Sequence, residues 1–309
     1  MISVIVPLYN EEENVRPFYQ ELRKALQGIR QPYEIIYIDD GSKDRTGEEL
    51  IRIKKQDRHV RLIQLRTHLG KSAALNSGFR NAGGSIVFTI DGDLQDDPKE
   101  IPRFIAKLNE GYDLVSGWKK VRRDPFGKRL PSQIFNWLVR HLTKVPIHDS
   151  NCGFKAYRAE VTRSLRIYGE LHRYIPSLVA SKGFRVTEIA VNHRARKYGK
   201  SKYGFSRLIK GLLDLLTIRY NATYQNRPMH FFGTLGIISV ASGILLGIAL
   251  TYLTLVQHID ILRPLLFLAL LLVIVGVQLF STGLLGEMIV HDREDAEDHL
   301  GKNIVVERT

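Results

Sequence analysis

The chain of 309 residues is 44% hydrophobic, which is enough for a sizeable core in one large or two modest domains. Cys152 is the only cysteine, so an intrachain disulfide framework is excluded and a reducing compartment is favoured. The 45 lysines and arginines exceed the 32 aspartates and glutamates, and the formal net charge of +13 favours polyanionic partners such as nucleic acid, acidic lipid or phosphorylated substrates.

Apolar runs rich in β-branched residues predict the strands of a sheet. They cover residues 2–7, 33–39, 60–65, 85–90 and 112–116. The first run follows Met1 directly, so we expect no signal peptide and a cytoplasmic N-terminal region. Helical patterns separate the runs. This alternation is typical of an α/β fold, with a mostly parallel sheet and helices on both of its faces.

The helix that follows the first strand has a clear end and a less clear start. Apolar residues recur with a helical period over residues 15–29, which predicts a helix that ends near Gly28. Pro17 favours a start shortly before it, with Asn14 rather than Asn10 as the capping residue.

The helix before the fifth strand carries signals at both of its ends. The pattern predicts a helix over residues 98–109. Asp97 precedes it as an N-cap, and Gly111 lies just beyond its end, where glycine commonly terminates a helix.

Two long uncharged segments predict a membrane hairpin. Residues 231–256 contain no charged residue, and a second run covers about 264–286. Each is long enough as a helix to cross ~30 Å of hydrocarbon. A pair of buried core helices is the alternative, but both runs are apolar on every face, which favours the membrane.

Basic residues before the first span predict the orientation of this hairpin. They are Lys197, Lys200, Lys202, Arg207, Lys210, Arg219 and Arg227. The connecting loop has one arginine, Arg263, so the positive-inside rule places the region before the first span in the cytoplasm. We therefore expect a cytoplasmic α/β domain over 1–204, two transmembrane helices over 230–290 and a cytoplasmic tail over 291–309.

The segment between the α/β domain and the first span, residues 205–229, differs from both. Leucines and isoleucines alternate with Arg207, Lys210 and Arg219. This mixture favours amphipathic helices at the membrane surface, with cations directed at lipid phosphates. A helix packed on the sheet is the alternative.

Acidic and small residues follow the first, second and fourth predicted strands, within residues 7–12, 39–46 and 91–95. Parallel strands bring their carboxyl ends to one edge of a sheet, so these loops should share a pocket. Asp91 and Asp93 flank Gly92 and can meet one Mg²⁺ or Mn²⁺, which would leave room for substrate phosphates. For an isolated Asp-Gly-Asp, a solvated acidic turn is the alternative.

Several other sites are excluded by the sequence. Gly70, Lys71 and Ser72 suggest a P-loop, but Leu65 stands where that motif requires its first glycine. A Gly-x-Gly-x-x-Gly after the first strand is absent, which argues against a dinucleotide dehydrogenase. Histidine and cysteine do not occur at the spacing of a zinc site.

The sequence resembles the inverting nucleotide-sugar glycosyltransferases of family 2, which have the GT-A fold. The matching motifs are Val6-Pro7-Leu8-Tyr9-Asn10-Glu11, Ile38-Asp39-Asp40-Gly41-Ser42 with Asp44 and Thr46, Gly70 through Gly78, and Asp91-Gly92-Asp93-Leu94-Gln95. Residues 93–100, residues 201–203 and the two-span tail narrow the resemblance to polyprenyl-phosphate glycosyltransferases, similar to dolichol-phosphate mannose synthases and bactoprenol glucosyltransferases. It covers nearly the whole chain.

The resemblance implies a nucleoside site and a metal site. Asp39 would support the nucleoside loop, and Asp91, Asp93 and Gln95 would surround Mg²⁺ or Mn²⁺ and the diphosphate. The residues expected to bind the nucleotide sugar are Pro7, Tyr9, Asn10, Glu11, Asp39, Asp40, Lys71, Asp91 and Gly92.

The resemblance also implies an acceptor site. The residues expected to bind the acceptor phosphate are Arg122, Arg129, Arg196, Lys197, Ser201 and Lys202. Those expected to serve catalysis are Asp91, Asp93, Arg122 and Asp149. Asp149 either orients a substrate or belongs to a structural turn. A lipid monophosphate has a second pKa of about 6 and is its own nucleophile at pH 7, so no catalytic base is required.

The implied reaction is transfer of a sugar from a nucleotide sugar to a polyprenyl phosphate such as undecaprenyl phosphate, with glucose from UDP-glucose as the first candidate. GDP-mannose, other UDP-sugars, or a glycan or other lipid acceptor stay open. Trp118 and Trp137 do not lie in the Gln-x-x-Arg-Trp element of processive synthases. Clustered acids and the lack of an aromatic-interleaved basic stripe argue against a scaffold that binds nucleic acid. The charged tail allows a homo-oligomer.

Overall fold

The computed structural model describes residues 1–120, 145, 147–194, 224, 227–256 and 263–302. The chain divides into two compact units, Met1–Arg219 and Tyr220–Thr309. The first unit contains the sheet, and the second contains the long apolar helices.

The first unit is built on a seven-stranded sheet with the order β3-β2-β1-β4-β6-β5-β7. The strands are β1 (Ile2–Leu8), β2 (Tyr33–Asp39), β3 (Val60–Gln64), β4 (Ile86–Thr89), β5 (Leu114–Trp118), β6 (Lys155–Arg158) and β7 (Val186–Ala190). Among these strands, β6 alone runs antiparallel to its neighbours. The strand order turns at β1 and β4, and such a point opens a crevice beyond the carboxyl ends of the strands.

Helices cover both faces of this sheet and close a hydrophobic core on each. They are α1 (Glu12–Gly28), α2 (Thr46–Gln56), α3 (Lys71–Asn81), α4 (Ile101–Asn109), α5 (Ala159–Ser164) and α6 (Ile175–Ser181), with 3₁₀ turns at Pro98–Glu100 and Leu171–Tyr174. Alternate residues of β1 enter opposite cores, with Val4 and Val6 on one side and Ile5 on the other. The α/β expectation is therefore confirmed.

The five predicted strands are all present. The prediction for β2 has the observed bounds, and those for the other four differ by one or two residues at an end. The sequence reasoning missed β6 and β7. Both strands are short. The sequence of β6 contains the cations Lys155 and Arg158, and β7 is only half-buried, so neither segment has the apolar pattern that predicts a strand.

The predicted start of α1 is wrong. The helix begins at Glu12, not beside Asn14, and Pro17 lies inside it. The carbonyl of Glu11 accepts the amide hydrogens of Asn14 and Val15, so the helix is already formed before the proline. In the second turn, Pro17 removes a single backbone hydrogen bond, which tertiary packing offsets.

The expected start before α4 is confirmed. The Asp97 carboxylate accepts the amide hydrogen of Lys99 and caps the 3₁₀ turn that leads into α4. Gly111, just beyond the end of α4, has a φ of +95°, a conformation that favours glycine.

The second unit contains α7 (Pro228–Leu255) and α8 (Arg263–Lys302), which pack against each other. A Cβ added to Gly236 would lie 2.7 Å from the carbonyl oxygen of Gly276, so these small residues permit close contact. The Glu287 carboxylate accepts the amide hydrogen of Met229 at 3.1 Å, near the start of α7. By length and composition, Pro228–Leu255 and Pro264–Val290 can each cross a membrane, and most of their apolar side chains are exposed.

Candidate active site at the carboxyl edge of the sheet

The loops after β1 and β2 are held together by side chain–backbone hydrogen bonds. Asn10 has a φ of +52°; its amide donates to Ser42 Oγ at 3.0 Å, and its Oδ1 accepts from the Lys43 amide at 2.8 Å. The Glu11 amide donates to Thr46 Oγ1 at 2.9 Å. These loops therefore form one rigid wall of the crevice.

Asp39 lies beneath this wall. Its Oδ1 accepts the amide hydrogen of Ser42 at 3.0 Å, and its Oδ2 accepts from Gln64 Nε2 at 3.3 Å. The residue is 4% exposed. These contacts support the loop after β2 from below, and a direct contact of Asp39 with a nucleotide stays a prediction.

Asp40 organises the loop between β3 and α3. Its carboxylate accepts the amide hydrogens of Leu69 at 2.8 Å and Gly70 at 3.0 Å and pairs with His68 Nδ1 at 2.8 Å. The His68 ring stacks on Tyr9 with centroids 3.8 Å apart. Sequence reasoning placed Tyr9 and Asp40 together but missed His68, which joins them.

A lysine and an aspartate meet where α3 begins. Lys71 Nζ donates to Asp91 Oδ1 at 2.5 Å, and each side chain is 29% exposed. Burial alone would favour protonation of Asp91, but the ammonium groups of Lys71 and Lys119 lower its pKa to about 2. Asp91 is thus ionised throughout the physiological range.

The turn that follows β4 presents Asp93 and Gln95 beside Asp91. The Gln95 amide donates to Asp93 Oδ1 at 3.2 Å. Leu94, between them, has a φ of +63°, which is unusual for leucine. A Cβ added to Gly92 would collide with Leu8, so a larger residue at the centre of the Asp-Gly-Asp motif would require the buried Leu8 side chain to move.

The residues present at this turn fit a hard divalent cation. Two carboxylates and a carboxamide, from Asp91, Asp93 and Gln95, are the oxygen donors that Mg²⁺ and Mn²⁺ prefer. Within the described residues, no three His, Cys, Asp or Glu side chains gather as a closed cage. The donor set therefore suits a cation that also binds phosphate oxygens of a substrate.

A buried ion pair lies behind this turn. Lys119 Nζ is 2.9 Å from Asp96 Oδ1, and Asp96 is fully buried. Burial raises the pKa of Asp96, although Lys119 opposes that shift. The Lys119 side chain is 14% exposed, so this ion pair is largely shielded from water.

The segment before β6 packs on Asp91 from the other side. A Cβ at Gly153 would collide with the Asp91 carboxylate, and the Gly153 carbonyl accepts from Thr89 Oγ1 at 2.9 Å. Lys155 Nζ donates to the carbonyl oxygen of Cys152, and burial lowers the pKa of Lys155 to about 8. Asp149, in the same segment, is 2% exposed.

Two polar pairs fasten α3 to the segment around the second 3₁₀ turn. Ser72 Oγ lies 3.1 Å from His172 Nδ1 and accepts the His172 amide hydrogen at 3.2 Å. One turn further along α3, Asn76 Nδ2 donates to the Ile167 carbonyl, and Asn76 Oδ1 accepts from the Ile167 amide at 3.3 Å. The position of Lys71 thus depends on residues nearly a hundred positions away, which sequence reasoning missed.

The predicted acceptor-binding residues lie outside the described residues. They are Arg122, Arg129, Arg196, Lys197, Ser201 and Lys202. Their roles, and the surface helices expected within 205–229, stay predictions.

Comparison with known families identifies the family to which this chain belongs. The family model for glycosyl transferase family 2 matches residues 3–166. This match includes β1 to β6 and all three loops that form the crevice. The chain belongs to glycosyl transferase family 2. It is therefore a glycosyltransferase, as the resemblance of its motifs indicated.

Two similar proteins extend the likeness over almost the whole glycosyltransferase. Dodecaprenyl-phosphate galacturonate synthase of Rhizobium johnstonii is 38% identical over 306 residues, which cover 96% of this chain and 90% of that protein. Undecaprenyl-phosphate 4-deoxy-4-formamido-L-arabinose transferase of Proteus mirabilis is 34% identical over 291 residues, covering 93% and 88%. The narrower resemblance to polyprenyl-phosphate glycosyltransferases is thereby confirmed.

Solved structures resemble the glycosyltransferase in fold. Glucosyl-3-phosphoglycerate synthase from Mycobacterium tuberculosis, in complex with Mn²⁺, uridine diphosphate and phosphoglyceric acid, has a TM-score of 0.57 and 20% identity over 72% of this chain and 78% of that one. Its structure with phosphoglyceric acid alone gives the same score. These likenesses confirm the expected fold and do not by themselves assign substrates.

Proposed function

We propose that this glycosyltransferase moves a sugar, with inversion at its anomeric carbon, from a nucleotide diphosphate donor to a polyprenyl phosphate in a reaction that requires a divalent cation. The observation that carries the proposal is the turn 91–95 at the carboxyl edge of the sheet, with Lys71 on Asp91 and the Tyr9–His68 stack across the crevice. Carboxylates can hold a divalent cation, and the charge of that cation would balance the anionic diphosphate.

The wall formed by the loops after β1 and β2 binds the nucleoside. Tyr9 offers a ring whose orientation is fixed by His68, and Glu11 lies at the start of α1. Asp40 is 3% exposed and holds the loop 68–70 by hydrogen bonds. In this proposal Asp40 shapes the pocket through that loop and the His68 ring.

Asp91, Asp93 and Gln95 would hold Mg²⁺ or Mn²⁺, and the donor diphosphate would bind through this cation. When bound, the cation neutralises charge on the nucleoside diphosphate as it leaves. Lys71 shares the Asp91 carboxylate, so a cation at Asp91 competes with the ammonium group. The displaced Lys71 ammonium group would then contact a diphosphate oxygen as a point charge.

The chemistry needs alignment more than it needs a base. A phosphate monoester with a second pKa of about 6 is dianionic at neutral pH and attacks without losing a proton to the protein. Asp149 is 2% exposed and lies in the segment that packs on Asp91. This burial favours a positioning role for Asp149 over direct proton transfer, and Arg122 is the proposed ligand of the attacking phosphate.

A polyprenyl phosphate is the proposed acceptor because two features agree on it. Relatives with at least 34% identity are named for dodecaprenyl and undecaprenyl phosphate. The second unit provides two helices that are long and apolar enough to cross the membrane in which such a lipid resides. We propose that the catalytic unit and both termini are cytoplasmic, from the basic residues before the first span.

The sugar is the least constrained part of the proposal. UDP-glucose is the donor favoured by the motif resemblance. The relatives named above transfer galacturonate and 4-deoxy-4-formamido-L-arabinose, so these two sugars are the next candidates.

The test incubates the purified full-length protein in detergent with undecaprenyl phosphate, Mg²⁺ or Mn²⁺, and radiolabelled UDP-glucose, UDP-galacturonate, UDP-4-deoxy-4-formamido-L-arabinose or GDP-mannose. We expect label to enter the organic phase with one donor, and to be lost with EDTA and in Asp93→Asn. Transfer to a glycan acceptor without transfer to the lipid phosphate would replace the proposed acceptor. Transfer that survives both EDTA and Asp93→Asn would exclude the metal-dependent mechanism.

A further inference from the structure

The chain segment after β7, residues 191–194, lies along the turn that contains Asp93 and Gln95. The Arg194 amide donates to the carbonyl oxygen of Gln95 at 2.9 Å. Asp96 and His193 form an antiparallel β-bridge beside it. Residues almost a hundred positions apart thus form a short piece of sheet directly on the candidate metal turn.

The Arg194 side chain extends this contact to a third element. One guanidinium nitrogen lies 2.6 Å from Glu21 Oε2 on α1, and the other lies 2.7 Å from Asp97 Oδ2 at the end of the turn. The Arg194 side chain is 38% exposed and that of Glu21 is 42% exposed, so solvent partly screens the first of these ion pairs. Because a guanidinium group is planar, one that bridges two carboxylates fixes the orientation of both carboxylates as well as the distance between them.

The turn needs such support from outside. Leu94 has a φ of +63°, in the left-handed region that is unfavourable for leucine, and its side chain is buried. Leu94 separates Asp93 from Gln95, so its backbone conformation sets the directions in which their side chains leave the turn. The hydrogen bond within the turn, from the Gln95 amide to Asp93 Oδ1, is long at 3.2 Å.

We propose that Arg194 is a positioning residue for the metal and diphosphate site. Its backbone and its two ion pairs hold the turn 93–97 in the conformation that brings Asp93 and Gln95 to one cation. We call these contacts of Arg194 with Gln95, Glu21 and Asp97 the clamp. The clamp is a property of the described residues, while the identity of the cation and the diphosphate rests on the proposed function. Arg194 need not touch the substrate.

Arg103 provides a matched control close to Arg194. It also joins the end of β7 to the chain after the turn, through Glu100 and through the Ala190 carbonyl at 3.1 Å. In the part of the chain that the structure describes, neither of these hydrogen bonds involves residues 91–97. Its side chain is 57% exposed. Arg103→Ala therefore removes an arginine of similar type without removing the clamp.

Hydrogen–deuterium exchange of the full-length protein tests the clamp without any substrate. We expect peptides that cover residues 91–97 to exchange faster in Arg194→Ala and to remain unchanged in Arg103→Ala. All variants keep the backbone bond to Gln95, and Arg194→Lys, which also keeps a single positive charge, should lie between wild type and Arg194→Ala. Unchanged exchange at 91–97 in Arg194→Ala, or equal acceleration in both alanine variants, would overturn the proposal.

Mn²⁺ binding in the presence of UDP, followed by electron paramagnetic resonance, tests the consequence for the site. We expect the dissociation constant for Mn²⁺ to rise about three- to tenfold in Arg194→Ala, as loss of two partly exposed ion pairs implies. An unchanged constant in Arg194→Ala would overturn the positioning role. Absence of Mn²⁺ binding in wild type, with accelerated exchange in Arg194→Ala, would instead count against the metal in the proposed function and leave only a structural clamp.

Discussion

Replacing Lys71 by methionine tests whether the Lys71 ammonium group and a divalent metal ion compete for the Asp91 carboxylate, as we propose. The ammonium group and Asp91 are 2.5 Å apart, and each side chain is 29% exposed. Such a pair lies between surface pairs, which contribute at most about 1 kcal/mol, and buried pairs, whose disruption costs about 3–5 kcal/mol. We therefore expect a change of about 1–2 kcal/mol in each equilibrium that involves this pair.

The two equilibria should move in opposite directions. Without Lys71, Mn²⁺ meets less competition and less repulsion at Asp91, so it should bind about 5–30-fold more tightly in the absence of nucleotide. UDP loses a cationic partner, so its affinity should fall. Electron paramagnetic resonance measures the first equilibrium, and calorimetry with UDP measures the second.

Lys107→Met is the matched control for this experiment. Lys107 pairs with Glu110 at 2.6 Å on α4, and its removal should leave both affinities unchanged. If Lys71→Met binds Mn²⁺ no more tightly than wild type, the exchange of cations at Asp91 is refuted. Weaker binding of both ligands would mean that Lys71 supports the shape of the site and does not compete for it.

Three further predictions concern the packing and protonation of the first unit. Gly92→Ala forces a Cβ against Leu8 and should destabilise the protein by about 1–3 kcal/mol in thermal unfolding. The double variant with Leu8→Ala should recover part of this loss. An unchanged melting temperature in Gly92→Ala would contradict the steric argument. Burial, with the neighbouring cations, holds the pKa of His172 well below its usual range, so the unfolded chain binds this proton more readily and stability should fall as the pH drops below about 6.5. In His172→Asn that part of the pH dependence should disappear, and an identical pH profile would assign it elsewhere. Although burial favours the protonated form of Asp57, hydrogen bonds from His59 hold its pKa low. The resulting stability is present above about pH 4 and is lost as the pH falls through the lowered pKa. Asp57→Ala should therefore cost about 1–3 kcal/mol of stability at pH 7, while the folded protein keeps its transferase activity.

The parallel part of the sheet could be predicted because the apolar runs in its sequence match the burial of its strands between two layers of helices. The runs that become β1, β2 and β4 are apolar on both faces, as strands covered by helices on both sides must be. Once their direction is known, the loops that follow them must meet at one edge. The juxtaposition of Tyr9, Asp40 and Asp91 therefore followed from topology alone.

The antiparallel strand β6 could not be predicted from its own residues. Lys155 stands in the middle of the sheet, opposite Thr89 and Ser116, where a buried cation is costly unless it is paired. The Cys152 carbonyl that receives its ammonium group lies in a loop, so the compensation is visible only in three dimensions. The burial of Lys119 was not predicted for the same reason. Its buried partner Asp96 follows a different strand, so the ion pair is visible only in the folded structure.

Lys71 and Lys119 provide a reason why a crevice lined with acids would accept the anionic donor that we propose. Asp91, Asp93 and Asp96 lie within six consecutive residues, and alone they would repel a diphosphate. Lys71 and Lys119 lower the pKa of Asp91 and thereby keep it ionised for a metal, while their own charges already balance much of the local field. A divalent cation that arrives with a nucleoside diphosphate then adds little net charge. Donor and metal are therefore expected to bind as one unit, and each should bind weakly without the other.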